Sequence, residues 1–249
     1  SVGLNVAMNR SLVLDLGDSE FLSVADSRAG DNDSTPVRIV KGMRLYNYYA
    51  RDYYGVNPST GDPLWYDKNG KLTGDISKAR YVYAGSPEAK ATGGFNTTVS
   101  WKGLSLSAYF EFVAGNKVFV ADQNIGFGYN MNNNNTVGVL NYWTKPGDTG
   151  VVPKPVAGAP SQSYRASTFN IQDGSYTRIK DITLSYSLPE NALKAIRMKG
   201  IRIYVSALNP YTFHNVKNVM DPELGVLGYT MGASHPMTKS IVGGIEVTF

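Results

Sequence analysis

The chain has 249 residues and a formal net charge of +4. Its 17 Tyr, 9 Phe and 3 Trp, with 26 Gly and 12 Pro, indicate a turn-rich β protein rather than a helical bundle. The absence of cysteine excludes disulfides, thiolate zinc sites and a cysteine nucleophile, and two histidines are too few for a histidine-rich metal site. No block of consecutive basic residues is present, so the sequence predicts neither nucleic-acid binding nor a bound metal or cofactor.

Apolar and polar residues alternate with a period of two along several segments, a pattern that predicts β-strands with one apolar face. The predicted strands cover residues 2–9, 92–102, 104–115, 176–188, 200–209 and 240–249, and a Tyr-rich run over 40–54 predicts a seventh. The Lys102-Gly103 turn joins two of them into a hairpin. Helix-forming composition is confined to residues 190–198, after Pro189.

The long links between the predicted strands fall at one end of the strands, and the short links fall at the other end. Links 55–91, 116–175 and 210–239 are long, whereas links 102–103 and 189–199 are short. Outer-membrane barrels have short periplasmic turns and long extracellular loops, and their strands carry lipid-facing and lumen-facing residues in alternation. The predicted fold is therefore all-β, an antiparallel transmembrane β-barrel segment. The 10–37 link is the one misfit, because it would fall at the short-turn end.

Five segments of the chain match, in order, motifs of one known family. They are residues 55–66 (GVNPSTGDPLWY), 93–99 (GGFNTTV), 173–186 (DGSYTRIKDITLSY), 203–210 (IYVSALNP) and 221–223 (DPE). With these motifs, nearly the whole chain resembles the C-terminal portion of SusC/RagA-type TonB-dependent outer-membrane transporters of Bacteroidetes.

This resemblance implies a barrel of about 22 strands, of which residues 1–249 would supply about seven strands and several extracellular loops. The N-terminal plug and strands are not in the sequence. The partners it implies are the remaining barrel and plug, a SusD-like surface lipoprotein, the TonB complex and the lipid bilayer. The implied location is the cell outer membrane, and the implied function is import of a glycan, with a peptide as the alternative cargo.

Aromatic and amide side chains in the predicted extracellular loops suit a sugar ligand, because aromatic rings stack on C–H-rich sugar faces and amides bind hydroxyls. The candidate substrate-binding residues are Trp65, Tyr66, Tyr129, Asn130 and Trp143. The alternative is that these aromatic residues pack the loops against each other. No nucleophile with a base and no phosphate-binding loop is evident, so no catalytic site is predicted. Asp221-Pro222-Glu223 is interpreted as a structural turn rather than as a pair of catalytic carboxylates.

A second hypothesis comes from a different class of protein. The same alternation would suit a soluble β-sandwich, either a carbohydrate-binding module or a glycosidase module. In that fold the apolar residues are buried against a second sheet, and the chain stays soluble without detergent. The two hypotheses therefore differ in what covers the apolar face.

The last predicted strand ends on Phe249, which by resemblance is the signal for insertion into the outer membrane. An aromatic ring at this position would anchor the strand at the periplasmic interface. We therefore expect deletion of Phe249 from the full-length protein to lower its amount in isolated outer membranes, measured by immunoblotting. An unchanged amount would mean that Phe249 is only the end of an ordinary strand.

Overall fold

The structure is a computed structural model that describes residues 1–24, 36–120, 137–148, 152–154, 167–195, 197–217, 219, 221–225, 227–230 and 236–249. The strands in this part of the chain are β1 (Val2–Met8), β2 (Phe21–Ser23), β3 (Val37–Val40), β4 (Asn47–Arg51), β5 (Tyr53–Val56), β6 (Pro63–Tyr66), β7 (Leu72–Thr73), β8 (Tyr81–Tyr83), β9 (Ala91–Trp101), β10 (Leu104–Ala114), β11 (Lys117–Val120), β12 (Ile171–Asp173), β13 (Tyr176–Ser187), β14 (Gly200–His214), β15 (Tyr229–Thr230) and β16 (Ser240–Thr248). One α-helix, α1 (Glu190–Ala195), and the 3-10 turns Ile76–Lys78, Val137–Leu140 and Thr168–Asn170 complete the described elements.

Six strands form one long antiparallel sheet in the order β1-β9-β10-β13-β14-β16, which is their order along the chain. These strands have 7 to 15 residues, and a tilted strand needs about 9–11 residues to cross a bilayer. Sequence alternation predicted all six, and the all-β antiparallel fold class is confirmed. None of the helices in the described residues is long and apolar enough to span a membrane.

The seventh predicted strand, over residues 40–54, is wrong as a member of this sheet. Its residues lie mainly in β4 and β5, and β4 belongs to a separate four-stranded sheet, β2-β3-β4-β8. Consecutive side chains of β4, Asn47 and Tyr48, are both buried, so the strand has no bare apolar face for lipid. Residues 9–90 are consequently one long link between β1 and β9, and the misfit of the 10–37 link disappears.

One face of the long sheet is apolar and bare. Strand register places Val99, Leu106, Leu184 and Val205 side by side across four strands, and neighbouring rows add residues such as Ile245, which is 67% exposed. Within the described residues no second sheet packs on this face. The burial that a soluble β-sandwich requires is therefore missing here, and the face has the character of a lipid-facing barrel wall.

The opposite face of the long sheet is polar. The hydroxyls of Thr183 and Ser206 both donate to the Asp181 carboxylate, over 2.9 and 2.7 Å. The hydroxyls of Ser100 and Ser105 lie 2.9 Å apart across the β9–β10 hairpin. Such hydrogen bonds, within one strand and between neighbouring strands, satisfy polar groups along the sheet and leave a hydrophilic surface, as the lumen of a barrel requires.

The short connections lie at one end of the sheet. Lys102 and Gly103 have φ values of 46° and 86°, and two positive φ values define the type I′ turn that matches the twist of a two-residue hairpin. The other short connection, between β13 and β14, contains α1, whose Leu193 is buried.

The described parts of the three long links, residues 9–90, 115–175 and 215–239, lie at the other end and pack into one body, which we call the loop layer. Its core contains two clusters of buried residues, Val37, Tyr48 and Phe119 in one and Val118, Val120 and Val216 in the other. Strands β12, β11 and β15 form one sheet from two different links, and the Tyr48 hydroxyl donates to the carbonyl oxygen of Leu227 over 2.9 Å. The loops therefore share a core that none of them has alone.

The bare apolar face predicts a clear asymmetry between neighbouring positions of β10. In the full-length protein, Leu106→Arg would bring a charge to the lipid side at a cost of about 2–4 kcal/mol near the bilayer midplane. Ser105→Arg, one residue away on the polar face, is the matched control and should have little effect. The measurement is the fraction of each variant that migrates as folded barrel on unheated gels. Equal behaviour of the two variants would contradict the assignment of the faces.

Candidate functional site: the loop layer and the upper polar wall

Trp65, the first predicted ligand contact, lies in the interior of the loop layer. Its side chain is 1% exposed, and its ring meets that of Tyr53 edge-to-face with the centroids 6.0 Å apart. Tyr53 in turn contacts Phe169 of a different link. The buried Trp65 ring packs against its neighbours and has no open face in this structure.

Tyr66, the next residue, is partly exposed. Its ring lies edge-to-face with that of Tyr54, the centroids 5.5 Å apart, and 5.1 Å from the guanidinium carbon of Arg80. Arg80 is held by two hydrogen bonds to one carboxylate oxygen of Asp52, over 2.6 and 2.8 Å. This arrangement fixes an aromatic edge and a cation at the surface of the β5–β6 hairpin.

Trp143 joins a second link to the same hairpin. Its indole nitrogen donates to the carbonyl oxygen of Pro58 over 3.0 Å, and its ring packs against Gly61. A salt bridge of 3.0 Å between Lys154 and Asp62 adds to this contact. The structure thus brings Trp143 to the hairpin that carries Trp65 and Tyr66, whereas Tyr129 and Asn130 lie outside the described residues.

The four-stranded sheet of the loop layer carries an aromatic surface that the sequence did not single out. Arg38 is sandwiched between two rings, with its guanidinium carbon 3.8 Å from the centroids of both Phe21 and Tyr49. Tyr49 stacks on Tyr81 at 5.2 Å and contacts Tyr83 at 4.8 Å. We call this group of five residues the aromatic face.

Strand alternation explains why these rings meet. Tyr49 stands opposite Tyr83 in the β4–β8 pair, and Tyr81 lies two residues before Tyr83 on the same side of its strand. Tyr48, the residue before Tyr49 in β4, faces the opposite side of the strand and is buried in the core. Phe21, Tyr81 and Tyr83 are each more than a third exposed, so the aromatic face presents rings to a ligand or to another protein.

A buried arginine lies on the polar face of the long sheet, at the end next to the loop layer. Arg178 of β13 is fully buried, with its two terminal nitrogens on Asp221 and on Glu223 and its Nε donating to the Thr212 hydroxyl over 3.0 Å. The Arg178–Glu223 distance is 2.8 Å. Both acidic residues belong to the 215–239 link, so the arginine ties that part of the loop layer to the barrel wall.

Lys180 extends this group. It lies 2.9 Å from Glu111 of β10 and 3.4 Å from Glu223. In the pairing with β10 the register shifts between Ile179 and Asp181, so Lys180 is the extra residue of a β-bulge that directs its side chain to the polar face. We call Arg178, Lys180, Glu111, Asp221 and Glu223 the Arg178 network.

Charge balance inside the network fixes the ionisation of Asp221. Burial alone would raise the pKa of its carboxyl group, but hydrogen bonds from the amides of Glu223 and Met237 and from Arg178 lower the pKa below its usual value. A lowered pKa means that this contribution to stability is complete at neutral pH and is lost as the pH falls through the folded-state pKa. Acid below about pH 4 is therefore required to loosen the anchor.

The network also gives a structural reason for Asp221-Pro222-Glu223. A structural role was expected, and the structure gives it a partner that sequence reasoning missed, Arg178, 43 and 45 residues away. The available signal was the group of charged residues Arg178, Lys180 and Asp181 in a strand whose other residues are apolar or neutral polar. Among the described residues no group of three or more acidic or histidine side chains is arranged to hold a metal ion.

Comparison with known proteins gives the same fold and arrangement. No family model matches the chain. TonB-dependent receptor P3 of Formosa agariphila is 26% identical over 277 residues, covering 100% of this chain and 26% of the relative. TonB-dependent receptor P26 of the same organism is 26% identical over 275 residues, covering 99% of this chain and 27% of the relative.

Solved structures agree with these relatives. The RagAB peptide transporter has a TM-score of 0.81 and 25% identity, covering 100% of this chain and 26% of that one. This chain resembles a segment of a SusC/RagA-type TonB-dependent receptor. The RagAB peptide importer in the closed-closed state gives a TM-score of 0.80 at 26% identity, with 100% and 27% coverage. This chain, called the receptor segment below after the proteins that it resembles, spans about a quarter of the length of all of them.

The resemblance that the sequence motifs indicated is therefore confirmed over the whole chain. Relatives of the receptor segment are transporters or receptors rather than enzymes. The bare apolar face and the polar face of the long sheet have the character of a barrel wall with lipid on one side and a lumen on the other.

The Arg178 network predicts a local effect of one substitution. Arg178→Met in the full-length receptor leaves two carboxylates without their buried partner, a loss of about 3–5 kcal/mol. Hydrogen exchange of residues 215–239 should rise while β9 and β10 stay protected. Arg202→Met is the control, because Arg202 and Glu246 form an exposed pair worth about 0–1 kcal/mol. Equal exchange in the two variants would contradict the anchoring role.

Proposed function

We propose that the receptor segment is the C-terminal part of a TonB-dependent importer of the outer membrane. In this proposal the long sheet is lumen wall and the loop layer is part of the outer mouth. One observation supports it most directly: a sheet with one bare apolar face and one polar face has all its long links packed at the same end. A barrel wall that divides lipid from a substrate path needs this asymmetry.

The edges of the sheet support a partner within the same receptor. Within the part of the chain that the structure describes, strands β1 and β16 each pair with a single neighbour, and an unpaired strand edge in lipid costs several kcal/mol for each unsatisfied backbone group. The remaining barrel strands would close both edges, the plug would fill the lumen, and the TonB complex would act through the plug. Residues 1–249 would then be one continuous portion of a larger barrel domain.

A SusD-like surface lipoprotein is the proposed partner above the loop layer. Two structures of a RagAB peptide importer, named for closed-closed and open-open states, match the receptor segment with the same TM-score of 0.80. Equal similarity to both supports a wall that keeps its shape while other parts of the importer move. The lipoprotein would move against the loop layer and would contact the exposed surfaces of that layer.

The proposed cargo is a glycan or a peptide. Exposed rings on the aromatic face suit the stacking of sugar rings, and the name of the RagAB neighbours supports a peptide. Deleting the gene of the full-length receptor and measuring growth on glycans and on peptides as sole carbon sources separates the two. Loss of growth on one class identifies the cargo, and unchanged growth on all of them contradicts import.

The proposed contacts within the loop layer follow from exposure. The rings of Tyr66 and Trp143 are partly exposed, and Trp143 contacts the hairpin that carries Tyr66. Tyr129 and Asn130 stay predictions from the sequence. The aromatic face adds Tyr81 and Tyr83, whose rings are more exposed than that of Tyr49 beneath them. Trp65 supports these contacts from the core instead of touching the ligand.

Stacking on the aromatic face can be tested in the full-length receptor. The double variant Tyr81→Ala and Tyr83→Ala removes two exposed rings, each worth about 1 kcal/mol or less in stacking. Growth on the cargo or binding of the lipoprotein should weaken several-fold, with the barrel still folded. The double variant Tyr81→Phe and Tyr83→Phe keeps the rings and should behave as wild type. If both activities survive the alanine changes, the face is not a contact surface.

A further inference from the structure

A cavity with an excess of positive charge lies where the loop layer meets the upper ends of β1, β9 and β10. Its volume is about 520 Å³, within the range of about 300–1,000 Å³ typical of small-ligand sites. The charged residues in its lining are Arg10, Arg44, Lys90 and Lys117, with Glu88 as the acidic exception. We call it the basic cavity.

Only one of these four cations is close to a carboxylate in the cavity wall. Arg44 donates to the backbone oxygen of Glu88 over 3.3 Å and lies 4.0 Å from its carboxylate, which also accepts from Ser11. Within the described residues, Arg10, Lys90 and Lys117 form no ion pair. Unpaired cations around a concave surface focus a positive potential into it and attract anions.

Asp173, just outside the lining of the cavity, is affected by the same positive charges. The Ser175 hydroxyl and amide are the main cause of its lowered pKa, and the charges of Lys117 and Lys90 lower the pKa further. Even with Asp173 counted, four cations face two carboxylates. The cavity therefore keeps an unbalanced positive charge that its own walls do not neutralise.

Both lysine stems are held in place by close contact with glycine. A Cβ atom at Gly115 would lie 2.8–3.0 Å from the Lys90 side chain, and one at Gly85 would lie 2.7 Å from Lys117 Cγ. The stems consequently lie against bare backbone, in space that a Cβ atom at either glycine would enter.

Strand phase puts Lys90 on the lumen side. Its backbone amide donates to the carbonyl oxygen of Ala114 at the end of β10. The next residue, Ala91, pairs with Ala114. Alternation then gives Lys90 the same face as Glu111 and Gly94, which is the polar face. A cation on that face meets molecules in the importer mouth rather than lipid on the outer wall.

We propose that the basic cavity binds a carboxylate, sulfate or phosphate group of the imported molecule, and so selects for acidic cargo. This inference rests on the import function proposed above and adds the chemical class of the ligand. Lys90 and Lys117 contact the oxyanion, and Arg10 and Arg44 contribute at the rim of the cavity. A uronic acid or an acidic peptide supplies the carboxylate, and a lipid phosphate is the other source of the same chemistry.

The test is direct binding to the purified full-length receptor in detergent, with glucuronate and inorganic sulfate as probes and glucose as the neutral comparison. The double variant Lys90→Gln and Lys117→Gln should weaken glucuronate and sulfate binding at least tenfold. Lys68→Gln with Lys71→Gln makes the same charge change on an exposed turn and should leave binding unchanged. The double variant Lys90→Arg and Lys117→Arg keeps the charge and should retain most of it.

Three results would overturn the proposal. The first is equal affinity of the wild-type receptor for glucuronate and glucose, and the second is unchanged affinity in the glutamine variant. The third concerns the lipid source. If lipopolysaccharide co-purifies with the wild type but not with the glutamine variant, and both bind glucuronate equally, the cavity is a lipid site. Because binding is measured without transport, a receptor that binds glucuronate but supports no uptake would refute import and leave the cavity intact.

Discussion

The constraint on which the structure depends is that backbone groups in lipid must find partners within the protein. The long sheet meets it by pairing six strands in chain order, so that each inner strand is satisfied on both sides. Chain-order pairing puts consecutive connections at alternate ends. The two-residue turn at Lys102 and the helix-containing connection then share one end, and the three long links are forced to the other. The loop layer is thus a consequence of the pairing rule.

Two kinds of interaction hold the loop layer, and they act at different places. Apolar packing around Tyr48, Phe119 and Val118 joins the links to each other. The Arg178 network joins them to the wall, through a cation that is completely buried and partnered by carboxylates from the 215–239 link. A buried charge tolerates few alternative positions, since moving it away from its partners exposes an unpaired ion to a poorly solvated site. The network therefore sets where the layer sits, whereas the apolar core determines that it forms.

Much of this arrangement could be predicted from the sequence, because apolar and polar residues alternate along a strand that has one face in lipid and the other in water. Residues 40–54 were misassigned for the converse reason: a strand covered on both faces, such as that of Tyr48 and Tyr49, has β-like composition without alternation. Trp65 shows a second limit, since a loop tryptophan that stacks on a ligand and one that fills a core have the same local sequence. Contacts such as Arg178 with Asp221 join residues 43 positions apart, and nothing local specifies them.

The shared core of the loop layer also bears on how the receptor reaches its native state. Tyr48 lies 179 residues from Leu227, whose carbonyl it binds, and β11 pairs with strands from both the 115–175 and 215–239 links. Contacts of such high sequence separation form late and slowly, because a long loop must close before any of them contributes. The layer can therefore be completed only after the chain through β15 is in place. If the import function proposed above holds, translocation of the last long link is the step that sets the shape of the outer mouth.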